Sequence, residues 1–177
     1  MKVLGLVGSP RKGGNTDLLI DAILASAESN GNEVDKLYLG DFEIGPCVDC
    51  RACKKSPFEC VLNDGMLELY PRLNEANALV FGTPIYWFGP TGPMKTLLDR
   101  LRPYVANHNL QGKRALLAIQ AGDGPGDADL TVEMFRRSLE YLEVELTGYV
   151  LGTAYDRGDI LADTEAMAKA EALGAAL

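Results

Sequence analysis

Residues 3–16 are VLGLVGSPRKGGNT, and the change of character within this stretch indicates the class of fold. The first half is almost continuously apolar, as expected for a strand buried on both faces of a parallel sheet. The second half is rich in glycine and polar residues, and it leads into a segment with the period of an amphipathic helix. A buried strand, a glycine-rich turn and a helix, in that order, are typical of an α/β protein.

The same alternation recurs along the rest of the chain. It predicts five strands, at Val3–Gly8, Glu33–Leu39, Ala78–Gly82, Arg114–Ala121 and Thr147–Thr153. It also predicts five helices, at Thr16–Asn30, Gly65–Glu75, Pro93–Tyr104, Asp127–Glu145 and Thr164–Leu177. Leu130, Met134 and Leu142 are predicted to form the apolar stripe of the fourth helix. The pattern indicates a doubly wound parallel sheet with strand order 2-1-3-4-5 between two helical layers.

The length, composition and charge of the chain indicate its domain count, its partners and its location. A chain of 177 residues with 47% hydrophobic residues fits one domain, spanning residues 1–177. Its formal net charge of −8 argues against nucleic acid as a partner, because such binding requires clustered lysine and arginine. No apolar run approaches the ~20 residues that cross a bilayer, and the first residues lack the features of a signal peptide. We therefore predict a cytoplasmic protein without a membrane partner.

The loop after the first strand has the composition of an anion site. Backbone N–H groups and a helix N-terminus would converge there, and polar side chains would add donors and charge. The sequence matches neither a Walker A loop nor the Gly-x-Gly-x-x-Gly dinucleotide pattern. An ordinary glycine-rich turn capped by Asn15 or Thr16 is the alternative. The residues predicted to bind a phosphate are Ser9, Arg11, Gly14, Asn15 and Thr16.

The loop after the third strand, residues 82–93, has the sequence GTPIYWFGPTGP. In the predicted strand order it faces the first loop across the topological switch point, where ligands of such sheets bind. An anion loop opposite an aromatic loop suits a flat heterocycle with one phosphate, and FMN fits that description. Alternatively, the aromatic residues pack against a helix or a dimer partner. The residues predicted to line the ring are Thr83, Pro84, Ile85, Tyr86 and Trp87, with Gly122 and Asp123 from the loop after the fourth strand. A plain turn without ligand contact is an equal alternative for that last loop.

All four cysteines lie in one long connection, at about residues 40–63. Cys47, Cys50, Cys53 and Cys60 have the spacing Cys-x2-Cys-x2-Cys-x6-Cys. Three thiolates at three-residue steps, with a fourth that folds back, favour a cubane iron–sulfur cluster. Zinc is the main alternative, although structural zinc sites more often pair two knuckles a dozen or more residues apart. Free or redox-active thiols are the third possibility.

Together these segments resemble the iron–sulfur flavoprotein branch of the NAD(P)H-dependent FMN reductase family, which has a flavodoxin-like fold. The resemblance covers nearly the whole chain and rests on residues 8–16, the four cysteines, residues 82–87 and the downstream Met94-Lys95 and Asp99-Arg100 pairs. It implies that Ser9, Arg11, Asn15 and Thr16 hold the FMN phosphate, that residues 84–87 line the isoalloxazine ring, and that the cysteines ligate a [4Fe–4S] cluster near a dimer interface. The six-residue gap before Cys60 is toward the longer side of the family's range.

The resulting hypothesis is an oxidoreductase that passes electrons between FMN and a [4Fe–4S] cluster, with no catalytic side chain because the cofactors carry the chemistry. Ferredoxin as the electron donor follows from the resemblance alone. One alternative is an NAD(P)H-dependent FMN or quinone reductase without a functional cluster. Another is a zinc-stabilised module without catalysis. We predict a homodimer or higher homo-oligomer, and we predict that Asp99 and Arg100 serve packing or that interface.

Overall fold

A computed structural model describes all 177 residues of the chain. The strands form one parallel sheet of five, in the order β2-β1-β3-β4-β5, which confirms the predicted architecture. The strands are β1 (Lys2–Val7), β2 (Glu33–Tyr38), β3 (Ala78–Pro84), β4 (Arg114–Ala121) and β5 (Glu145–Thr153). The order reverses between β1 and β3, so their carboxyl ends open a crevice at that edge.

Helices cover both faces of the sheet. They are α1 (Asn15–Ser29), α2 (Met66–Glu75), α3 (Gly92–Arg100), α4 (Tyr104–Asn107), α5 (Asp129–Tyr141) and α6 (Thr164–Ala175). Side chains of α1 and α6 form one hydrophobic core with the sheet, and those of α2 to α5 form the other. Successive residues of β1 point alternately into the two cores, as the pleat of a strand requires: Leu4 and Leu6 into one, Val3 and Val7 into the other.

Close packing fixes α1 and α3 against the switch point. A Cβ at Gly82 would lie 2.3 Å from Cδ1 of Ile20, so α1 can sit this close to β3 only because residue 82 is glycine. A Cβ at Gly8 would likewise lie 2.8 Å from Cβ of Met94 in α3. These two glycines let both helices begin directly above the crevice.

Three details differ from the sequence prediction. The third helix ends at Arg100 and is followed by the separate short helix α4, because Pro103 disfavours helical backbone at the residue before it. The fourth helix ends at Tyr141, and Glu143 turns the chain with φ 58° so that β5 starts at Glu145. Leu130 is 63% exposed and does not belong to the apolar stripe of α5.

Within α5 the buried residues are Thr131, Phe135 and Leu139, at intervals of four. Of the other predicted stripe residues, Met134 packs partly buried against this core, and Leu142 is buried just beyond the end of the helix. The connection between β2 and α2 contains only two short 3₁₀ turns, at Leu39–Asp41 and Ala52–Lys54. No helix of the structure combines the length and the apolar character that a bilayer span requires.

Candidate flavin and cysteine sites

The loop between β1 and α1 presents unpaired backbone donors at the switch point. Gly13 has φ 67°, and this left-handed residue turns the chain into the helix. No side chain caps the N-terminus of α1, and the N–H groups of Asn15, Thr16 and Asp17 donate to no protein acceptor. These donors and the positive end of the helix dipole form a site for an anion such as a phosphate.

Thr16 contributes a buried hydroxyl without a partner. Its side chain is 1% exposed, and its Oγ1 makes no hydrogen bond within the protein. A buried hydroxyl left unpaired is costly, and such groups are usually satisfied by a ligand or water. The orphan hydroxyl beside the unpaired N–H groups is what a bound phosphate would satisfy.

The side chain of Asn15 lines the switch-point side of α1 and also binds the loop after β5. Its Nδ2 donates to the carbonyl oxygen of Asp156 at 2.8 Å, and its Oδ1 accepts from the N–H of Gly158 at 2.8 Å. The amide therefore fastens the loop after β5 to α1, and one N–H of Nδ2 has no partner in these bonds. Arg157 of the same loop donates to the carbonyl oxygens of Lys12 and Gly13, which places a second guanidinium beside the anion loop.

Asp17 holds the anion loop from beneath. Its carboxylate is 1% exposed, accepts from the N–H of Gly13 at 2.6 Å and pairs with Nζ of Lys36 at 2.7 Å. Burial opposes its ionisation, but hydrogen bonds from Lys36, Gly13 and the Tyr38 hydroxyl outweigh burial, so the pKa of Asp17 lies below its ordinary value. The ionised side chain thus stabilises the turn that exposes the backbone donors.

A cavity of about 250 Å³, the switch-point cavity, lies between these loops. Of the predicted ligand residues, Ser9, Arg11, Gly14, Asn15, Pro84, Ile85, Tyr86 and Gly122 line it. Thr16, Thr83 and Asp123 do not, and Thr16 lies buried behind the cavity wall, next to Asn15. The hydroxyl of Thr83 is buried and instead accepts from the N–H of Thr91, while Asp123 is exposed outside the cavity.

Trp87 also lies outside the cavity, on an exposed turn at its mouth. Residues Tyr86–Gly89, here called the aromatic turn, are closed by reciprocal backbone hydrogen bonds between Tyr86 and Gly89. Both central residues are left-handed, Trp87 with φ 49° and Phe88 with φ 60°, which bulky side chains rarely adopt. Trp87 is 96% exposed and Phe88 56%. The prediction that Trp87 lines the ring is not supported by this placement.

Five residues that the sequence analysis missed complete the cavity wall. Gln120 closes β4, and the other four follow β5: Ala154, Tyr155, Asp156 and Arg157. The ring of Tyr155 lies so near Gly122 that a Cβ there would be 3.0 Å from its Cδ2. The usable signal was topological, because the loop after the fifth strand opens at the same edge of a parallel sheet as the other loops.

The four cysteines meet at a second place, near the C-terminal end of α3. Cys47, Cys50, Cys53 and Cys60 line one small cavity of about 20 Å³, and all four thiols are free. Burial raises the pKa of the Cys53 thiol, and the thiols of Cys60, Cys47 and Cys50 raise it further while the Arg102 guanidinium lowers it. No group of three or more His, Cys, Asp or Glu side chains is arranged to hold a single metal ion.

Arg100 joins the ends of the cysteine segment to α3. Its guanidinium is 1% exposed and donates to both carboxylate oxygens of Asp64, to the carbonyl oxygen of Gly45 and to Sγ of Cys60. At the other end of α3, the hydroxyl of Thr91 donates to the carbonyl oxygen of Gly8 at 2.7 Å. One nine-residue helix, about 13 Å long at 1.5 Å per residue, therefore connects the two sites.

Comparisons with known proteins show the family and the fold of this chain. Residues 1–154 match the family described as "NADPH-dependent FMN reductase". The chain is 33% identical to an "Iron-sulfur flavoprotein" of Archaeoglobus fulgidus, over 98% of this chain and 77% of that protein. It is 30% identical to the "Putative NAD(P)H-dependent FMN-containing oxidoreductase YwqN" of Bacillus subtilis, over 98% of this chain and 96% of that protein.

The structure also aligns with a solved structure of "a flavodoxin from the domain Archaea", over 99% of this chain and 95% of that protein. The TM-score of 0.64 at 16% identity shows that the two share a fold. The fold and the switch-point cavity define an FMN-binding oxidoreductase with a flavodoxin-like fold. The chain belongs to the iron–sulfur flavoprotein branch of the NADPH-dependent FMN reductase family.

Proposed function

We propose that this protein passes electrons between a [4Fe–4S] cluster held by its four cysteines and FMN in the switch-point cavity. The observation that carries the proposal is the convergence of Cys47, Cys50, Cys53 and Cys60 on one cavity at the end of the helix whose other end borders the flavin site. FMN can exchange one or two electrons, whereas an iron–sulfur cluster exchanges one, so together they connect two-electron to one-electron chemistry.

Different residues around the switch-point cavity suit the phosphate and the ring of FMN. The unpaired N–H groups at the start of α1 and the orphan hydroxyl of Thr16 suit the phosphate. Arg11 and Arg157 add positive charge to a chain whose net charge is −8. Pro84–Tyr86, Gly122 and Tyr155 suit the edges and one face of a flat ring.

The cysteine spacing favours a cluster over zinc. Structural zinc sites built from four cysteines more often pair two knuckles a dozen or more residues apart, whereas all four cysteines here lie between residues 47 and 60. A cubane core is larger, because each thiolate binds a different corner. The four cysteines line one cavity, and their spacing, three at three-residue steps and a fourth after a six-residue gap, supports the cluster over the zinc-stabilised, non-catalytic alternative.

An NAD(P)H-dependent FMN reductase is the second candidate function. The family description and the Bacillus subtilis relative support it, since both names specify NADPH or NAD(P)H as the reductant. The open, half-exposed face of Tyr86 beside the cavity leaves room for a nicotinamide against the flavin. Rapid loss of the flavin absorbance on mixing with NADPH, also in a variant with all four cysteines changed to serine, would favour this function.

We also propose that the protein is a homodimer or higher homo-oligomer, and that the aromatic turn forms part of the interface between its subunits. Trp87 makes almost no contact within its own chain, yet its backbone is held in a left-handed conformation that costs free energy. A second copy packed on this turn would bury the indole beside the mouth of the flavin cavity. A reduced ferredoxin as electron donor and a cytoplasmic location stay predictions from the sequence.

The decisive experiment is anaerobic purification followed by assay of FMN, iron, acid-labile sulfide and zinc per chain. We expect about one FMN, about four iron and about four sulfide, and a visible spectrum that bleaches in two phases on reduction. The variant with all four cysteines changed to serine is the control, and it should keep FMN and lose iron. FMN without iron, even after reconstitution with iron and sulfide, would contradict the electron-transfer proposal and leave the flavin reductase.

A further inference from the structure

Arg100 is the only lysine or arginine whose side chain is buried in this protein. It lies at the end of α3 and lines the cysteine cavity together with all four cysteines. A buried guanidinium loses its hydration, so it is retained only where hydrogen bonds and opposite charge compensate that loss. Its partners therefore indicate what the residue does.

Two of these partners, Asp64 and Gly45, are structural. The guanidinium forms a bidentate pair with Asp64, which also accepts the N–H groups of Gly45 and Met66. A further N–H of Arg100 reaches the carbonyl oxygen of Gly45 at 2.8 Å. Gly45 lies two residues before Cys47, and Asp64 lies four residues after Cys60. Arg100 therefore joins the two ends of the cysteine segment and holds the thiols over the end of α3.

Two features of the Arg100 guanidinium are not explained by its bonds to Asp64 and Gly45. Nη2 also lies 3.4 Å from Sγ of Cys60, within the range of an N–H···S hydrogen bond. Nε is buried and has no partner in the protein. Such an orphan donor usually indicates a missing partner, and here the side chain borders the cavity that the four thiols share.

We propose that Arg100 positions Cys60 and raises the reduction potential of the cluster bound there. The proposal rests on the cluster of the proposed function. Adding one electron makes a thiolate-ligated cluster more negative by one charge, so a buried cation and N–H···S hydrogen bonds stabilise the reduced form more than the oxidised form. Outer hydrogen bonds to ligand atoms are a general means by which proteins tune metal centres.

Arg102 supplies a matched control. It lines the same cavity, but its side chain is 34% exposed and pairs with Asp49 at 2.8 Å instead of with a cysteine. Arg100→Gln and Arg102→Gln each remove one positive charge near the thiols, whereas only the first removes the contact with Cys60. Arg100→Lys keeps the charge and loses the planar fork that reaches Asp64 and Sγ together.

The test is an anaerobic redox titration of each protein with dithionite as the electron source, followed by electron paramagnetic resonance of the reduced cluster. We expect Arg100→Gln to lower the cluster potential clearly more than Arg102→Gln does, while the flavin potential stays unchanged. Resonance Raman spectra of the wild type should show an iron–sulfur band that shifts in D₂O, and this shift should shrink in Arg100→Gln and persist in Arg102→Gln.

The outcomes separate the two proposals. If the wild type binds neither iron nor sulfide, both proposals fail. If the wild type carries the cluster and both glutamine variants change the potential equally, or neither does, the inference about Arg100 fails and the proposed function stands. If Arg100→Gln assembles no cluster, Arg100→Lys decides: a lowered potential or a reduced D₂O shift supports the inference, and unchanged values for both overturn it.

Discussion

Replacing Thr16 by valine should stabilise the FMN-free protein and weaken FMN binding. Valine has nearly the shape of threonine, so the substitution removes a hydroxyl and leaves the packing of the 1% exposed side chain in place. In the free protein that hydroxyl has no partner. With FMN bound, the same hydroxyl would donate to the phosphate beside the unpaired N–H groups of α1. The two effects therefore have opposite signs.

The magnitudes follow from these two states of the hydroxyl. Removing a buried, unpaired hydroxyl relieves a penalty of about 1–3 kcal/mol. At the lower end, the melting temperature of a chain of this size would rise by about 2–4 °C. A hydrogen bond to a charged group contributes about 1.5–3 kcal/mol. Its loss would raise the Kd for FMN by about 10- to 150-fold at 1.4 kcal/mol per factor of ten.

Two measurements test this prediction. Urea unfolding of the FMN-free proteins gives the change in free energy of unfolding, and titration of FMN with quenching of its fluorescence gives the Kd. Thr131→Val is the control, because Thr131 is also 1% exposed but its hydroxyl donates to the carbonyl oxygen of Phe88. The control should lower stability by about 1 kcal/mol.

The reasoning is refuted if Thr16→Val destabilises the FMN-free protein as much as Thr131→Val does, since the hydroxyl would then have a partner. An FMN Kd within twofold of the wild-type value would also refute it, because the phosphate would then lie elsewhere.

Three further predictions concern the loops around the cavity. Changing Trp87 to asparagine together with Phe88 to glycine should stabilise the monomer by about 2 kcal/mol, because both replacements adopt left-handed backbone readily, and should dissociate the proposed dimer. Unfolding at low protein concentration measures the first effect, and sedimentation at several concentrations measures the second. An unchanged association state would contradict the proposed interface. Asp17→Asn should reduce the loss of unfolding free energy at low pH. The pKa of Asp17 is lowered in the folded state, so its contribution is complete above the unfolded pKa of about 4 and is lost as pH falls through the folded pKa. Unfolding measured from about pH 6 to pH 2 tests this, and equal slopes for the variant and the wild type would show that the carboxylate does not contribute. Gly14→Ala should weaken FMN binding at least tenfold, because the alanine Cβ would lie 2.8 Å from the carbonyl oxygen of Arg11 and distort the anion loop. The same fluorescence titration measures the Kd, and a wild-type value would exclude such a distortion.

The fold was predictable because it depends on patterns that are local in sequence. Continuous apolar runs such as residues 3–7 occur where strands are buried on both faces, and helical periods lie between them. The ends of elements were less predictable. The turn at Glu143 and the break before Pro103 depend on a competition between helix and neighbouring packing that the periodicity of either segment does not record.

The cavity was predictable only for residues that adjoin a recognisable loop. Ser9, Arg11 and Gly14 follow the first strand directly, and Pro84–Tyr86 end or follow the third. Tyr155 and Arg157 lie about 140 residues from the anion loop in sequence, and their loop has neither its adjacent glycines nor a run of aromatic residues. Its only signal was topological, because it opens at the same edge of the sheet. The direction of a side chain was equally hidden, as the amide of Asn15 and the indole of Trp87 show.

By itself, the sequence determined the α/β class, the strand order, the glycine-rich anion loop and the cysteine spacing, because each depends on residue types at short, fixed intervals. The tertiary structure alone decided which donors remain unpaired. Thr16 and Asn15 are neighbours with polar side chains, yet the loop after β5 gives partners to the Asn15 amide and none to the Thr16 hydroxyl. It likewise placed Arg100 against Cys60, 40 residues earlier in the chain, because α3 and the cysteine segment meet only once the sheet has formed.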